Sequence, residues 1–212
     1  MKLYGFGESG NAYKVALMLT LTKTPWDLEF VPFFTGGART PEFRTINPMA
    51  EVPVLVDGTV TLSQSGVMLD YLAERTGQFG GRDANERREV LRWLLWDNHK
   101  LSAQIGTTRF LMNFLAPDKR PEAVIPFLQG RLKAAYRVLD DHLASRDWIV
   151  GSRPTIADLS CCGYLYYPEP FGFDRADWPH IAAWLDRIAA LPGWLHPYDL
   201  MPRAFPTPIS VQ

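Results

Sequence analysis

Val52-Pro53-Val54-Leu55-Val56-Asp57-Gly58-Thr59-Val60-Thr61-Leu62 is the stretch that decides the fold. Two short β-type runs, Val52 to Val56 and Thr59 to Leu62, flank Asp57-Gly58. Two such runs joined by Asp-Gly give the strongest short hairpin signal a sequence carries. Downstream, Ser65 to Arg75 predicts a helix with Val67, Leu69 and Leu72 apolar, ended by Thr76-Gly77. Upstream, Pro41 to Ile46 predicts one or two helical turns. They stop at Asn47-Pro48, because the residue before a proline resists the helical region. Lys2 to Phe6 reads as a strand, Gly7 to Gly10 as a loop, and Asn11 to Thr22 as a helix with Val15, Leu17, Met18 and Leu21 at helical spacing. Trp26 to Phe33 reads as a second strand. A strand–helix–strand connection predicts parallel strands with a right-handed crossover.

The resulting order is βαβ, a short helix, a ββ hairpin and a helix, which is the thioredoxin-like arrangement. It occupies residues 1–77. Residues 78–85 contain Gly80-Gly81 and charges and suit a linker. No convincing strand follows. Glu86 to about Leu115 predicts a helix with Leu91, Leu94, Leu95, Leu101 and Ile105 on one face, and Pro121 to Leu143 predicts a second long one. Thr155-Ile156-Ala157-Asp158 has the form of a capping box, with Pro154 and Leu159 as a possible hydrophobic staple. Trp178 to Leu191 predicts a further helix, closed by Pro192-Gly193. The proline-rich tail from His196 has no periodicity and is expected to wrap the surface. The fold class is thus α/β plus all-α: a thioredoxin-like domain followed by a helical bundle over residues 86–212.

Composition narrows the function. Hydrophobic residues make up 47% and charged residues 21% of the 212, which excludes a disordered or collagen-like chain. With 22 basic against 23 acidic residues the net charge is -1, against the basic footprint of a nucleic-acid binder. The two cysteines, Cys161 and Cys162, are adjacent and cannot form a disulfide scaffold. No apolar run approaches the ~18 residues of a membrane helix, and Met1 to Phe6 lacks the apolar stretch of a signal peptide. The expected compartment is the cytoplasm, with neither nucleic acid nor membrane as partner.

Three motifs carry a resemblance. Ser9-Gly10-Asn11-Ala12-Tyr13-Lys14-Val15 opens the first helix, Asn47-Pro48-Met49-Ala50-Glu51-Val52-Pro53-Val54-Leu55 has the form N-P-x-x-x-V-P-x-L, and Leu62-Ser63-Gln64-Ser65 ends in a Q-S pair. In this order, with an all-helical second half and the Thr155 capping box, the chain resembles soluble glutathione transferases over roughly residues 1–195. Within that family it is similar to bacterial, serine-type or Nu-like members. The resemblance implies glutathione as co-substrate, no metal or prosthetic group, and a homodimer. It also implies a cis bond at Val52-Pro53, so that Val52 offers its backbone to the cysteinyl part of glutathione. Gln64 and Ser65 stand where a helix begins. Free N–H groups and the positive dipole end there suit the γ-glutamyl carboxylate.

Ser9 and Asn11 are the candidate thiol activators. Glutathione thiol resembles free Cys, with a pKa near ~8.5, and is mostly protonated at pH 7. A hydrogen bond to the charged form contributes roughly 1.5–3 kcal/mol. At about 1.36 kcal/mol per unit, one donor lowers the pKa by roughly one to two units. Ser9 matches the serine of theta-, delta- and phi-like transferases. Asn11 matches the asparagine of Nu-like enzymes that act on disulfides. The bland alternative is that both merely cap a helix. Tyr4 and Tyr13 read as packing. No cysteine precedes residue 161, so a protein-thiol mechanism in this loop is excluded.

Elsewhere the pattern departs from the family's. Ala38 sits at the usual His position, leaving Arg39 as the nearest cation for the glycyl carboxylate, and Glu51 would repel that carboxylate if it faced inward. Phe110, Phe114, Tyr164 and Tyr167, with Met112 and Tyr166, could line an apolar second-substrate pocket or pack in the core. Arg109 reads as a solvated helix face, with reach toward a glutathione or an acidic substrate as the alternative, and Cys161 and Cys162 read as buried packing. The four histidines show no metal spacing. The expected activity is conjugation of the glutathione thiolate to a small apolar electrophile. A glutathione-dependent disulfide reductase and a non-catalytic binding protein are the alternatives.

Overall fold

The computed structural model describes residues 1–205. Strand β1, Lys2–Gly5, runs parallel to β2, Asp27–Phe30, with Leu3 opposite Leu28. It is antiparallel to β3, Val54–Asp57, with Leu3 opposite Leu55. Strand β4, Val60–Ser63, closes the order β2-β1-β3-β4. The hairpin turns one residue later than the sequence suggests. Asp57 pairs with Val60, and the turn residues are Gly58 and Thr59. Gly58 has φ +60°, a conformation that glycine alone adopts without a Cβ penalty and that tight hairpins need. Strand β2 is shorter than expected, because Pro32 gives way to a 3₁₀ turn at Phe33–Thr35.

Helix α1, Gly10–Leu21, is buried nearly all round. It has the sheet and α3, Ser65–Thr76, on one side and the helical half on the other. The short α2, Pro41–Ile46, is capped by Thr40 and packs Phe43 with Val31, Ala38 and Val54 on the far face of the sheet. Tyr4 lies there too, edge-on to Phe43 at 6.1 Å.

Asp83 caps α4, Ala84–Trp96, by accepting the N–H groups of Asn85 and Glu86. The rod continues through a π turn at Asp97–Ser102, α5 at Ala103–Arg109, and a second π turn at Phe110–Phe114. Each π turn inserts one residue, which rotates all later side chains by about 100°. A single 3.6-residue periodicity therefore misplaces faces along this rod. Leu91 and Leu95, expected in the core, are 54% and 63% exposed. Helix α6, Val124–Leu143, begins three residues later than Pro121. At α7, Ile156–Cys161, the capping box forms: Asp158 accepts the Thr155 N–H at 2.8 Å and also the Trp184 Nε1–H at 2.9 Å. Helix α8 is Pro179–Ala189. The tail departs from its expected surface course. Pro197–Leu200 forms α9, and Met201 is 1% exposed. The last seven residues of the tail lie outside the described residues.

Candidate active site

Helix α1 starts at the junction of the two halves, so its first turn faces the helical half directly. Gly10 permits this contact. A Cβ there would come within 2.5 Å of the Tyr164 ring. A cleft of about 630 Å³ opens at this junction. Ser9, Asn11, Val52 and Gln64 line it from one side, and Phe110, Phe114 and Tyr164 from the other.

Ser9 is the N-cap of α1. Its Oγ accepts the Ala12 N–H at 3.2 Å, which uses a lone pair and leaves the hydroxyl proton free to be donated. Asn11 Oδ1 accepts the Ser65 hydroxyl at 3.2 Å, which brings the starts of α1 and α3 together. The position before α3 belongs to Gln64, at φ +69°, and its side chain makes no cap bond. It donates instead to Glu51 Oε2 at 3.3 Å. Glu51 lines the cleft. The Val52-Pro53 bond is cis, with Pro53 buried behind Val52.

Four predicted residues are not among those lining the cleft: Pro53, Ser65, Arg39 and Tyr167. Arg39 sits on an exposed 3₁₀ turn and is not among the residues lining the cleft. Tyr167 stands behind the wall, 6% exposed, and donates its hydroxyl to Gly7 O at 2.7 Å. Burial pushes that phenol well above its ordinary value, so it stays neutral. Tyr166 donates to Leu185 O, and Tyr13 to Leu195 O, both away from the cleft. Met112 accepts a hydrogen bond from Gln129. Cys161 and Cys162 are buried, and desolvation pushes both thiols up. Among the described residues no group of His, Cys, Asp and Glu could hold a metal ion.

Arg109 overturns its reading as a solvated side chain, for it is 1% exposed. The π turn at 97–102 rotates it inward, onto the Tyr167 ring at 3.9 Å. It donates to Glu8 O at 2.9 Å and to Glu169 at 2.8 Å. Burial works against ionisation of Glu169, yet hydrogen bonds from Tyr198 and Arg109 hold its pKa below the ordinary value.

Sequence reasoning missed part of this wall. Phe34, Phe114 and Phe205 form a ring cluster with centroids 4.9–5.1 Å apart, joining the loop after β2, the α5 rod and the tail. The pair Phe33-Phe34 is a local signal, an apolar run outlasting its strand. Phe205 and Glu8 carry none. Beneath the cleft the π spacing brings residues i and i+5 together. Ser102 donates to Asp97 at 2.7 Å, and Asp97 also receives Lys14 Nζ at 2.7 Å and the Ser160 hydroxyl.

Residues 8–75 match the family model of the glutathione S-transferase N-terminal domain, and residues 103–192 that of the C-terminal domain. The disulfide-bond oxidoreductase YfcG of Escherichia coli is 30% identical over 194 residues, covering 88% of this chain and 89% of that protein. A crystal structure of a glutathione S-transferase from Xanthobacter autotrophicus superposes with a TM-score of 0.85 at 34% identity, over 93% of this chain and 98% of the other. A glutathione transferase from Burkholderia graminis, with two glutathione molecules bound per subunit, gives 0.81 at 28% identity over 91% and 84%. With both halves matched in order and the cleft between them, the chain belongs to the glutathione S-transferase family.

Proposed function

We propose that the protein conjugates the thiolate of glutathione to a small apolar electrophile in the cleft between its halves. The observation that carries this is the Ser9 hydroxyl. It caps α1, its proton has no acceptor among the described residues, and it opens into a cleft whose opposite wall is aromatic. Ser9 donates to the sulfur and lowers its pKa. Asn11 supports it and is held by Ser65. Val52 pairs with the cysteinyl backbone, Pro53 fixes that segment, and Gln64 and Ser65 receive the γ-glutamyl end at the α3 N-terminus. Phe110, Phe114 and Tyr164 take the electrophile, with Tyr167 behind them. Catalysis consists of thiol deprotonation plus proximity. Glu51 in the cleft and the outlying Arg39 leave the glycyl carboxylate poorly served, so glutathione affinity is modest.

The same reading assigns glutathione binding to residues 1–77, a linker to 78–85 and the second substrate to 86–212. It includes a cytoplasmic location and a homodimer. Exposed Val67 of α3 and Leu91 of α4 flank a groove of about 490 Å³ and supply an apolar face for the second copy. No helix among the described residues is long and apolar enough to cross a membrane.

The relative named as a disulfide-bond oxidoreductase, and the neighbour with two glutathiones bound, favour a second reading: glutathione-dependent disulfide reduction with Asn11 as the main donor. One experiment separates the two. Glutathione is titrated calorimetrically and the ultraviolet thiolate band of the bound ligand is followed against pH. The bound thiol is expected well below ~8.5. Ser9→Ala should raise its pKa by roughly one to two units, with affinity nearly unchanged. If Asn11→Ala does so and Ser9→Ala does not, Asn11 is the activator. An unshifted thiol means a carrier, and no binding at millimolar glutathione rejects the proposal.

A further inference from the structure

Glu8 directly precedes Ser9, lines the same cleft and is 3% exposed. A carboxylate in this place opposes a second negative charge beside it, and a thiolate at Ser9 is such a charge. Among the described residues, every hydrogen bond that the Glu8 carboxylate accepts comes from the tail. The donors are Arg203 Nε at 3.1 Å, Ala204 N–H at 2.8 Å and Phe205 N–H at 3.1 Å. The tail grips the same loop at a second point, where Gly7 N–H donates to Pro202 O at 2.7 Å. A Cβ on Gly7 would lie 2.8 Å from Met201 O and 2.9 Å from Pro202 O, so this approach requires glycine.

The other arm of Arg203 donates to Glu169 at 3.0 Å, and Glu169 also holds Arg109 and the Tyr198 hydroxyl. Two arginines and two glutamates form a closed set of zero net charge. The remaining ionisable groups around the sulfur site are Glu51 before β3, Tyr164 and Tyr167 beyond α7, and the neutral Lys14–Asp97 pair below. Arg109 donates to the backbone carbonyl of Glu8, not to its carboxylate. Arg203 is therefore the cation that sits on the carboxylate.

We infer that Arg203 is a positioning residue for glutathione activation: its ion pair with Glu8 docks residues 201–205 onto the Ser9 loop and cancels the negative charge beside the sulfur site. The inference rests on the glutathione reading above. Thiolate in the cleft and a docked tail then favour one another, because the coupling is reciprocal. Docking also seats Phe205 against Phe34 and Phe114, two rings of the cleft wall.

The test uses the full chain with glutathione as ligand, calorimetry for binding, and the thiolate band against pH. R203Q should raise the bound thiol pKa by roughly one unit, which cuts the thiolate fraction at pH 7 by roughly three- to eightfold from a starting value of about 6.5–7.5. R203K keeps the charge and should stay near the wild type. E8Q/R203Q should return toward the wild type, because the carboxylate that needed cancelling is gone. A purely structural tail predicts the reverse, a double variant no better than R203Q. Should R203Q fail to fold, E8Q alone decides, with a bound thiol below the wild-type pKa expected. A wild-type profile in R203Q, an unrescued double variant, or an unshifted E8Q overturns the inference. A wild-type chain that binds no glutathione, or binds it with an unshifted thiol, defeats the glutathione reading instead.

Discussion

Lys14–Asp97 and the set Glu8, Arg203, Glu169 and Arg109 both tie the sheet half to the helical half, yet water meets them differently. The Lys14 and Asp97 side chains are 2% and 1% exposed. Arg203 is 32% exposed and Glu169 14%, while their partners Glu8 and Arg109 are 1% and 2% exposed. Asp97 is satisfied by Lys14, Ser102 and Ser160, and nothing in that cluster can leave without opening the core. The outer cluster is joined to the tail through Arg203. One ion pair is dry on both sides, and the other cluster meets water through Arg203. Removing charge should therefore have different consequences in each.

Asp97→Ala should do the most damage. It strands a buried ammonium and should cost about 3–5 kcal/mol in urea unfolding, whereas Lys14→Met with Asp97→Leu should lose much less. Equal losses would mean that packing, not charge, holds this seam. Glu169→Gln should cost about 1–2 kcal/mol, and the loss should shrink in 1 M salt, where the screening length is about 3 Å. The Asp97→Ala loss should not shrink. A salt response shared by both would erase the distinction between the clusters.

The smallest effect belongs to a third, more exposed seam at the linker. Hydrogen bonds from Arg82 hold the Glu86 carboxyl down at about 2, and Arg153 lies 3.6 Å away. A depressed carboxylate pKa contributes stability above the unfolded value, and the contribution is lost as pH falls through the folded one. Glu86→Gln should therefore remove a loss of stability between pH roughly 4.3 and about 2. The change, read by thermal unfolding, should stay below about 1 kcal/mol because the pair is solvated.

What could be read from the sequence follows the same division. Local features were legible. The Thr155–Asp158 box needs four consecutive residues. The hairpin needs Gly58, although its turn lies one residue from the expected place. Motifs mark Ser9, Asn11, Val52 and Gln64, and the chain brings them to one cleft. The inward face of Arg109 is not legible, because the π turn at Asp97–Ser102 breaks the period on which that face is counted. Lys14 finds its carboxylate 83 residues away and Arg203 finds Glu8 at 195, separations that no local pattern encodes. Arg39 is the nearest cation along the chain, and nearness in sequence does not place it in the cleft.

The adjacent cysteines have a practical consequence. Cys161 and Cys162 are 1% and 0% exposed, on a helix pressed between α1 and α4. Chemical modification cannot reach them in the folded molecule, and burial keeps them as unreactive thiols. The protein thus carries a built-in clock for its own opening. In excess thiol reagent, the rate at which two sulfurs per chain become labelled counts excursions of the core. A slow count would show that the interior stays shut on that timescale.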